Sequence, residues 1–224
     1  MGLVISYQFE LKSATVEQAR SKIVALRKLA SKLPFATIDQ LVELEGKDCK
    51  FDGDDIYDPN IFLKIRAMKP VKMADDGFEA ISSKYMIAFD TLPGEGAETA
   101  AFGLATHTEI TEANQVSDWI WHGFCKTQYA SNPEYGGIKN FLKCHLMLVR
   151  MLDEAQKLGI VHKVSDDSGY WKERDVKELA YTIHHNNVMM AALTGQLKDG
   201  LNTKEFHAPI FEYPNFEYLE AEGN

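Results

Sequence analysis

The chain has little that staples, spans or grips. Its cysteines number three, Cys49, Cys125 and Cys144, an odd count without paired spacing. That excludes a disulfide framework and a paired-Cys metal site, and two of the three stand inside apolar periodic segments, as reduced core thiols of a cytoplasmic protein do. No stretch approaches the roughly 20 apolar residues that a bilayer-crossing helix requires. Nor does a basic segment precede a hydrophobic one at the N-terminus. A cytoplasmic protein without membrane attachment is expected. Basic residues are in deficit, 24 Lys and Arg against 33 Asp and Glu for a net charge of −9, and they form no polybasic run. The averaged field repels phosphate backbones, so non-specific nucleic-acid binding is not expected.

Signatures of catalysis and cofactor binding are missing too. Gly94-Glu95-Gly96 lacks the third glycine of a dinucleotide fingerprint, where Thr99 stands, and precedes a strand pattern instead of a helix. No Gly-Lys-Ser or Gly-Lys-Thr occurs, which excludes a P-loop. Ser168 has Asp166 where a nucleophile elbow carries its first glycine. Asp52, Asp54, Asp55 and Asp58 lack the fixed glycine and glutamate of a calcium loop and read as a solvated loop. His184 and His185 are neighbours about 100° apart on a helix and cannot readily share an ion; no His-Glu-x-x-His is present, so no metal site is expected. Cofactors stay unassigned.

What is present is a globular composition, 45% hydrophobic and 25% charged over 224 residues, enough for a substantial core. Leu3, Ile5, Tyr7, Phe9 and Leu11 alternate with Val4, Ser6, Gln8 and Glu10, the period of a half-buried strand. Thr15 with Gln18 makes a capping box, and helical spacing continues to Leu33 before Pro34. Thr37 to Leu44 and the alternating Phe62 to Met68 look extended, as do Tyr85 to Asp90, Ala101 to His107 and Trp119 to Tyr129. Ile138 to Ala155 is a strongly amphipathic helix ending at Gly159, where a short strand Ile160 to Ser165 follows. Another helix starts near Asp175, with Glu178 completing a capping box, and ends before Gly195 or Gly200.

These elements predict a single α+β domain over 1–224: a mixed sheet with helices mainly on one face. Two strand-helix-strand units bracket central strands and suggest two ferredoxin-like β-α-β halves, 1–70 and 80–205, each with a right-handed crossover. An aromatic tail, 206–224, carries Phe206, Phe211, Tyr213, Phe216 and Tyr218; it either covers the domain's own core, the favoured reading, or serves as a homodimer arm.

Strand ends and their loops are where a rigid scaffold presents binding groups. The candidate patch therefore joins Glu95 and Glu98 in the hairpin turn, His107 at a strand end, Lys126 and Gln128 near the end of another strand, and Asp166, Asp167, Tyr170 and Trp171 after the short strand. Together they would supply carboxylates for acid–base work, a cation for an anionic group and aromatic walls. Pro93 to Glu98 with Phe102-Gly103-Leu104, Lys126 to Tyr129, and Asp167 to Trp171 resemble segments of an uncharacterised bacterial protein family with no assigned activity. That resemblance covers mainly residues 93–171; it implies no function and adds weight to the three segments forming one patch. The leading expectation is a binding protein for a small molecule or a protein partner. The second is a small-molecule hydrolase or transferase, with or without a divalent cation, using the same carboxylates, His107 and Lys126.

Overall fold

The first alternation becomes β1 (Val4–Ala14), which buries Ile5, Tyr7 and Phe9 on one face and leaves Ser6, Gln8 and Glu10 on the other. Thr15 caps the helix that follows, α1 (Val16–Ala30): its hydroxyl accepts the Gln18 amide at 3.3 Å, and the Gln18 side chain accepts the Thr15 amide at 2.9 Å. Two of the orphan donors at the helix start are thereby satisfied. Ala19, Ile23, Leu26 and Ala30 form the buried stripe of α1. The computed structural model describes residues 3–55, 57–72, 78–201 and 207–223.

β2 (Thr37–Ile38) and β3 (Val42–Glu45) are two pieces of one edge, both paired with β6 (Tyr85–Leu92). After β3 and before β6 in the chain comes α2 (Ile61–Arg66), where the alternation over 62–68 suggests a strand. Leu63 and Ala67 are its buried positions, four apart, a spacing that serves one helical turn as well as an alternating strand. The Lys64–Asp58 ion pair at 2.7 Å holds that turn to the preceding loop. β4 (Lys69–Lys72) and β5 (Phe78–Ile81) form a separate ribbon. β7 (Ala100–Thr106) and β8 (Ser117–Lys126) follow, and the chain then tightens into a 3-10 turn at Gln128–Ser131 instead of staying extended to Tyr129. α3 (Ile138–Lys157), β9 (Val161–Asp166), the short α4 (Tyr170–Glu173) and α5 (Val176–Leu201) complete the order, with α6 (Phe216–Gly223) last. The Asp175 carboxylate accepts the Lys177 and Glu178 amides at the start of α5, but the helix runs through Gly195, because α6 packs along it and supplies tertiary contact that outweighs the propensity penalty.

The seven-stranded sheet has the order β2–β6–β7–β8–β1–β9, with β3 beside β2 on the same side of β6. Every pairing is antiparallel, so the expected mixed sheet is corrected. Separate ferredoxin-like halves are not formed either. The strands opening and closing the two units, β1 and β9, are neighbours, with Ser6 opposite Ser165 and Tyr7 opposite Val164, because α1 carries the chain to the far edge of the sheet and leaves β1 between β8 and β9. α1 packs on β6, β7 and α3, while α2 lies against β6 and β8. Strand alternation puts α2 on the other face, since Phe124 beneath it alternates with the buried Gly123 and Cys125.

β7 and β8 share one register pair among the described residues, Ala105 with Ile120. Beyond it, side chains replace the ladder: the Tyr7 hydroxyl and the Trp121 indole N–H both donate to the Ala101 carbonyl, at 2.7 and 3.0 Å. Tyr7 lies over Gly123, its partner on β8, where an added Cβ would collide with the ring. Tyr213 and Phe216 are buried with Ile210 and Leu219 against Val188 and Ala191 of α5. The tail therefore packs on α5 in a cluster apart from the main core, with Tyr218 exposed, and Phe206 lies outside the described residues. Among the described residues no helix is long and apolar enough to cross a membrane.

Candidate functional site

The patch suggested by sequence is partly assembled, around a residue that was not part of it. Asp166, at the end of β9, and Ser168 meet His145 of α3: Ser168 Oγ lies 3.2 Å and Asp166 Oδ2 3.4 Å from His145 Nε2, and Thr127 Oγ1 lies 3.1 Å from Nδ1. The Trp171 amide donates to Asp166 at 2.8 Å, and Tyr170 meets the imidazole edge-on at 6.1 Å. Asp167 is exposed but tied to Val4, donating from its backbone at 3.1 Å. Burial works against the Asp166 carboxylate, yet hydrogen bonds from His145 and Ser168, the electrostatic attraction of His145 and the Trp171 amide bring its pKa down to about 2.

This Ser, His and Asp are not arranged as a hydrolytic relay. A relay sets nucleophile and acid at opposite ring nitrogens, whereas here Ser168 and Asp166 share Nε2, and the Ser168 hydroxyl donates to Asp166 Oδ1 at 2.7 Å. His145 and Thr127 are fully buried, so substrate has no approach. The cluster fastens the ends of β8 and β9 to α3.

Other members of the patch are placed apart or enclosed. The Glu98 amide donates to the Lys126 carbonyl at 2.9 Å, and the Glu98 carboxylate accepts the Lys126 amide at 3.2 Å. Lys126 Nζ lies 4.7 Å from the Tyr129 ring centre. Glu95 is exposed, its carbonyl bound by Asn140 at 3.0 Å. His107 sits beyond the opposite end of β7, about 20 Å of strand away, where burial and Lys69 lower its pKa. Gln128 is fully buried, its amide without a hydrogen-bond partner among the described residues. No group of three or more His, Cys, Asp or Glu able to hold a metal occurs among the described residues.

A concave surface lies on the other face of the sheet. A cleft of about 480 Å³ is floored by β8, β1 and β9 and walled by α2 and the segment after it. Strand register lays two rows across the floor: Phe124–Ser6–Ser165, and His122–Gln8–Lys163. The wall presents Ile65, Arg66, Met68 and Pro70. The Arg66 guanidinium lies 3.4 Å from the centre of the Phe124 ring, a cation–π contact that fixes it at the cleft. Arg66 is half-buried and has no ion pair among the described residues; burial lowers its pKa, opposed by the nearby Tyr7, Asp90 and Glu98. Partial burial lowers the His122 pKa as well, so its imidazole is neutral at pH 7.

No carboxylate is among the lining residues described. The cleft can therefore hold an acid through Arg66 while hydroxyls, an amide and an imidazole offer neutral hydrogen bonds. Sequence reasoning missed these residues, although the alternation of β1 did place Ser6 and Gln8 together on the polar face. Comparison with protein-family models, with curated proteins and with solved structures gives no match to this chain.

Proposed function

We propose that this chain is a binding protein for a small anionic molecule, taken in the cleft between α2 and the β8–β1–β9 floor. One observation carries the reading: in a chain of net charge −9 this cleft is lined by two cations, Arg66 and Lys163, beside the neutral His122, and by no carboxylate among the described lining residues. A half-buried guanidinium without a fixed counter-ion gains a strong, charge-assisted pair from an incoming acid. The volume falls within the roughly 300–1,000 Å³ usual for small-molecule sites. A hydrolase or transferase built on Glu98, His107 and Asp166 has weaker support, since Glu98 and His107 flank opposite ends of β7 and Asp166 is enclosed by His145 and Ser168.

Thermal unfolding against a panel of millimolar acids, with choline as the cationic control, tests the reading. A ligand bound by the native state raises the midpoint by mass action. At least one acid is expected to raise it by several degrees in the native sequence and to lose that effect in Arg66→Gln. No shift with any acid, or a shift that survives Arg66→Gln and Lys163→Gln together, would overturn the reading.

A further inference from the structure

We infer that the molecule taken by this cleft is an amphipathic monoanion, an alkyl or aryl body carrying one carboxylate or sulfonate, with its acid at Arg66 and its body between α2 and Phe124. This rests on the anion reading above and narrows it to a ligand class. The cleft separates its chemistry by position. Ile65, Met68 and Pro70 stand beside Arg66, and Phe124 lies beneath it. Ile65 is 44% and Phe124 46% exposed, so apolar surface is left open to water where the guanidinium waits. Moving outward, the floor turns to Ser6 and Gln8 and then to Ser165 and Lys163, two strand spacings or about 10 Å from β8.

The two cations are therefore not equivalent. Lys163 is exposed on the outermost strand, where an ammonium is well hydrated and an ion pair contributes little. Arg66 is half-buried, planar and held on an aromatic ring, so an acid placed there makes short bonds in a less polar setting. An inorganic oxyanion would satisfy Arg66 and leave Ile65, Met68, Pro70 and Phe124 wet. A compact polyanion needs a second cation close to the first, and among the described lining residues the other fixed cation is Lys163, across the floor. A single acid on an apolar body meets both the guanidinium and the wall.

The test uses 1-anilinonaphthalene-8-sulfonate, itself an aryl sulfonate, with decanoate, orthophosphate and succinate as competitors of the full-length protein at pH 7. One dye per chain is expected, displaced by decanoate and unaffected by orthophosphate or succinate at equal concentration. Arg66→Gln is expected to weaken both the dye and decanoate about tenfold or more. Ile65→Ser, at an exposed position that should leave folding intact, is expected to weaken them several-fold. Dye and decanoate binding undiminished in both variants would overturn the inference. Orthophosphate or succinate binding in an Arg66-dependent way, with dye and decanoate excluded, would overturn the amphipathic class and leave the anion reading standing. No Arg66-dependent binding of any of the four would overturn both.

Discussion

Asp166 combines three roles in one carboxylate: it ends β9, accepts the Trp171 amide that starts the next turn, and meets the buried His145. Its side chain is 1% exposed, so removing it leaves a buried imidazole and hydroxyl short of partners. Asp166→Ala is expected to lower unfolding free energy by about 3 kcal/mol at pH 7 in urea titration. Because its folded pKa of about 2 lies below the ordinary carboxylate value, its stabilisation is complete above about pH 4 and is lost as pH falls through 2. The variant should therefore lose less stability than the native sequence between pH 5 and pH 2. His145 falls on the buried face of α3 with Phe141 and Leu148, at a helical spacing that the sequence itself shows. What the spacing could not carry was its polar company, since Thr127 and Ser168 are 18 and 23 residues away and reach it only after β8 and β9 are in place.

At the scale of elements, the join between β7 and β8 depends on a ring, an indole and a glycine. Tyr7 stacks on Phe102 with centres 5.5 Å apart and donates to Ala101, so it has no room to move. Gly123→Ala would drive a methyl into that ring and is expected to cost about 1–3 kcal/mol by chemical denaturation. β1, α1, β6, β7, α3 and β9 were legible, because alternation, caps and helical spacing act over a few neighbours. α2 was not: in a seven-residue window Leu63 and Ala67 fit both periods, and only the packing of the segment against β6 and β8 decides between them. The 3-10 turn after β8 escaped for a similar reason, as Gln128, Ala130 and Ser131 are buried by α3 and α5 rather than by neighbours in sequence.

For the molecule as a whole, the two faces of the sheet divide the labour. The face under α1 and α3 is core, while the α2 face is core over β6 and β7, where Leu63 and Ala67 are buried, and carries the cleft over β8, β1 and β9. Asp90 stands near Arg66 without pairing with it, and burial and repulsion from Asp39 push its pKa up to about 6 against the pull of Arg66. A carboxyl raised in this way contributes stability that is complete below about pH 4 and lost as pH rises through 6. Asp90→Asn is thus expected to stabilise the protein by about 1–2 kcal/mol at pH 7.5. Below pH 6 Asp90 loses its charge, and as pH falls His122 gains one, both favouring an acid at Arg66. Affinity for a sulfonate, which stays ionised, is expected to rise several-fold from pH 7.5 to pH 5, with a smaller rise in Asp90→Asn. Dye titration across that range checks it, and a flat profile would show that Asp90 and Arg66 are not electrostatically linked.

The sequence by itself determined the α+β class, the element types wherever the apolar period was long, the caps at Thr15 and Asp175, and a negative net charge that disfavours polyanion binding. These follow from interactions among near neighbours or from composition. Only the tertiary structure decided the all-antiparallel order, the pairing of β1 with β9 and the side on which α2 lies. The cleft is built from residues near 6, 66, 123 and 164, more than 40 positions apart at each step. No local pattern encodes such a meeting, because it depends on strand register and on which face of the sheet the chain chooses to cross.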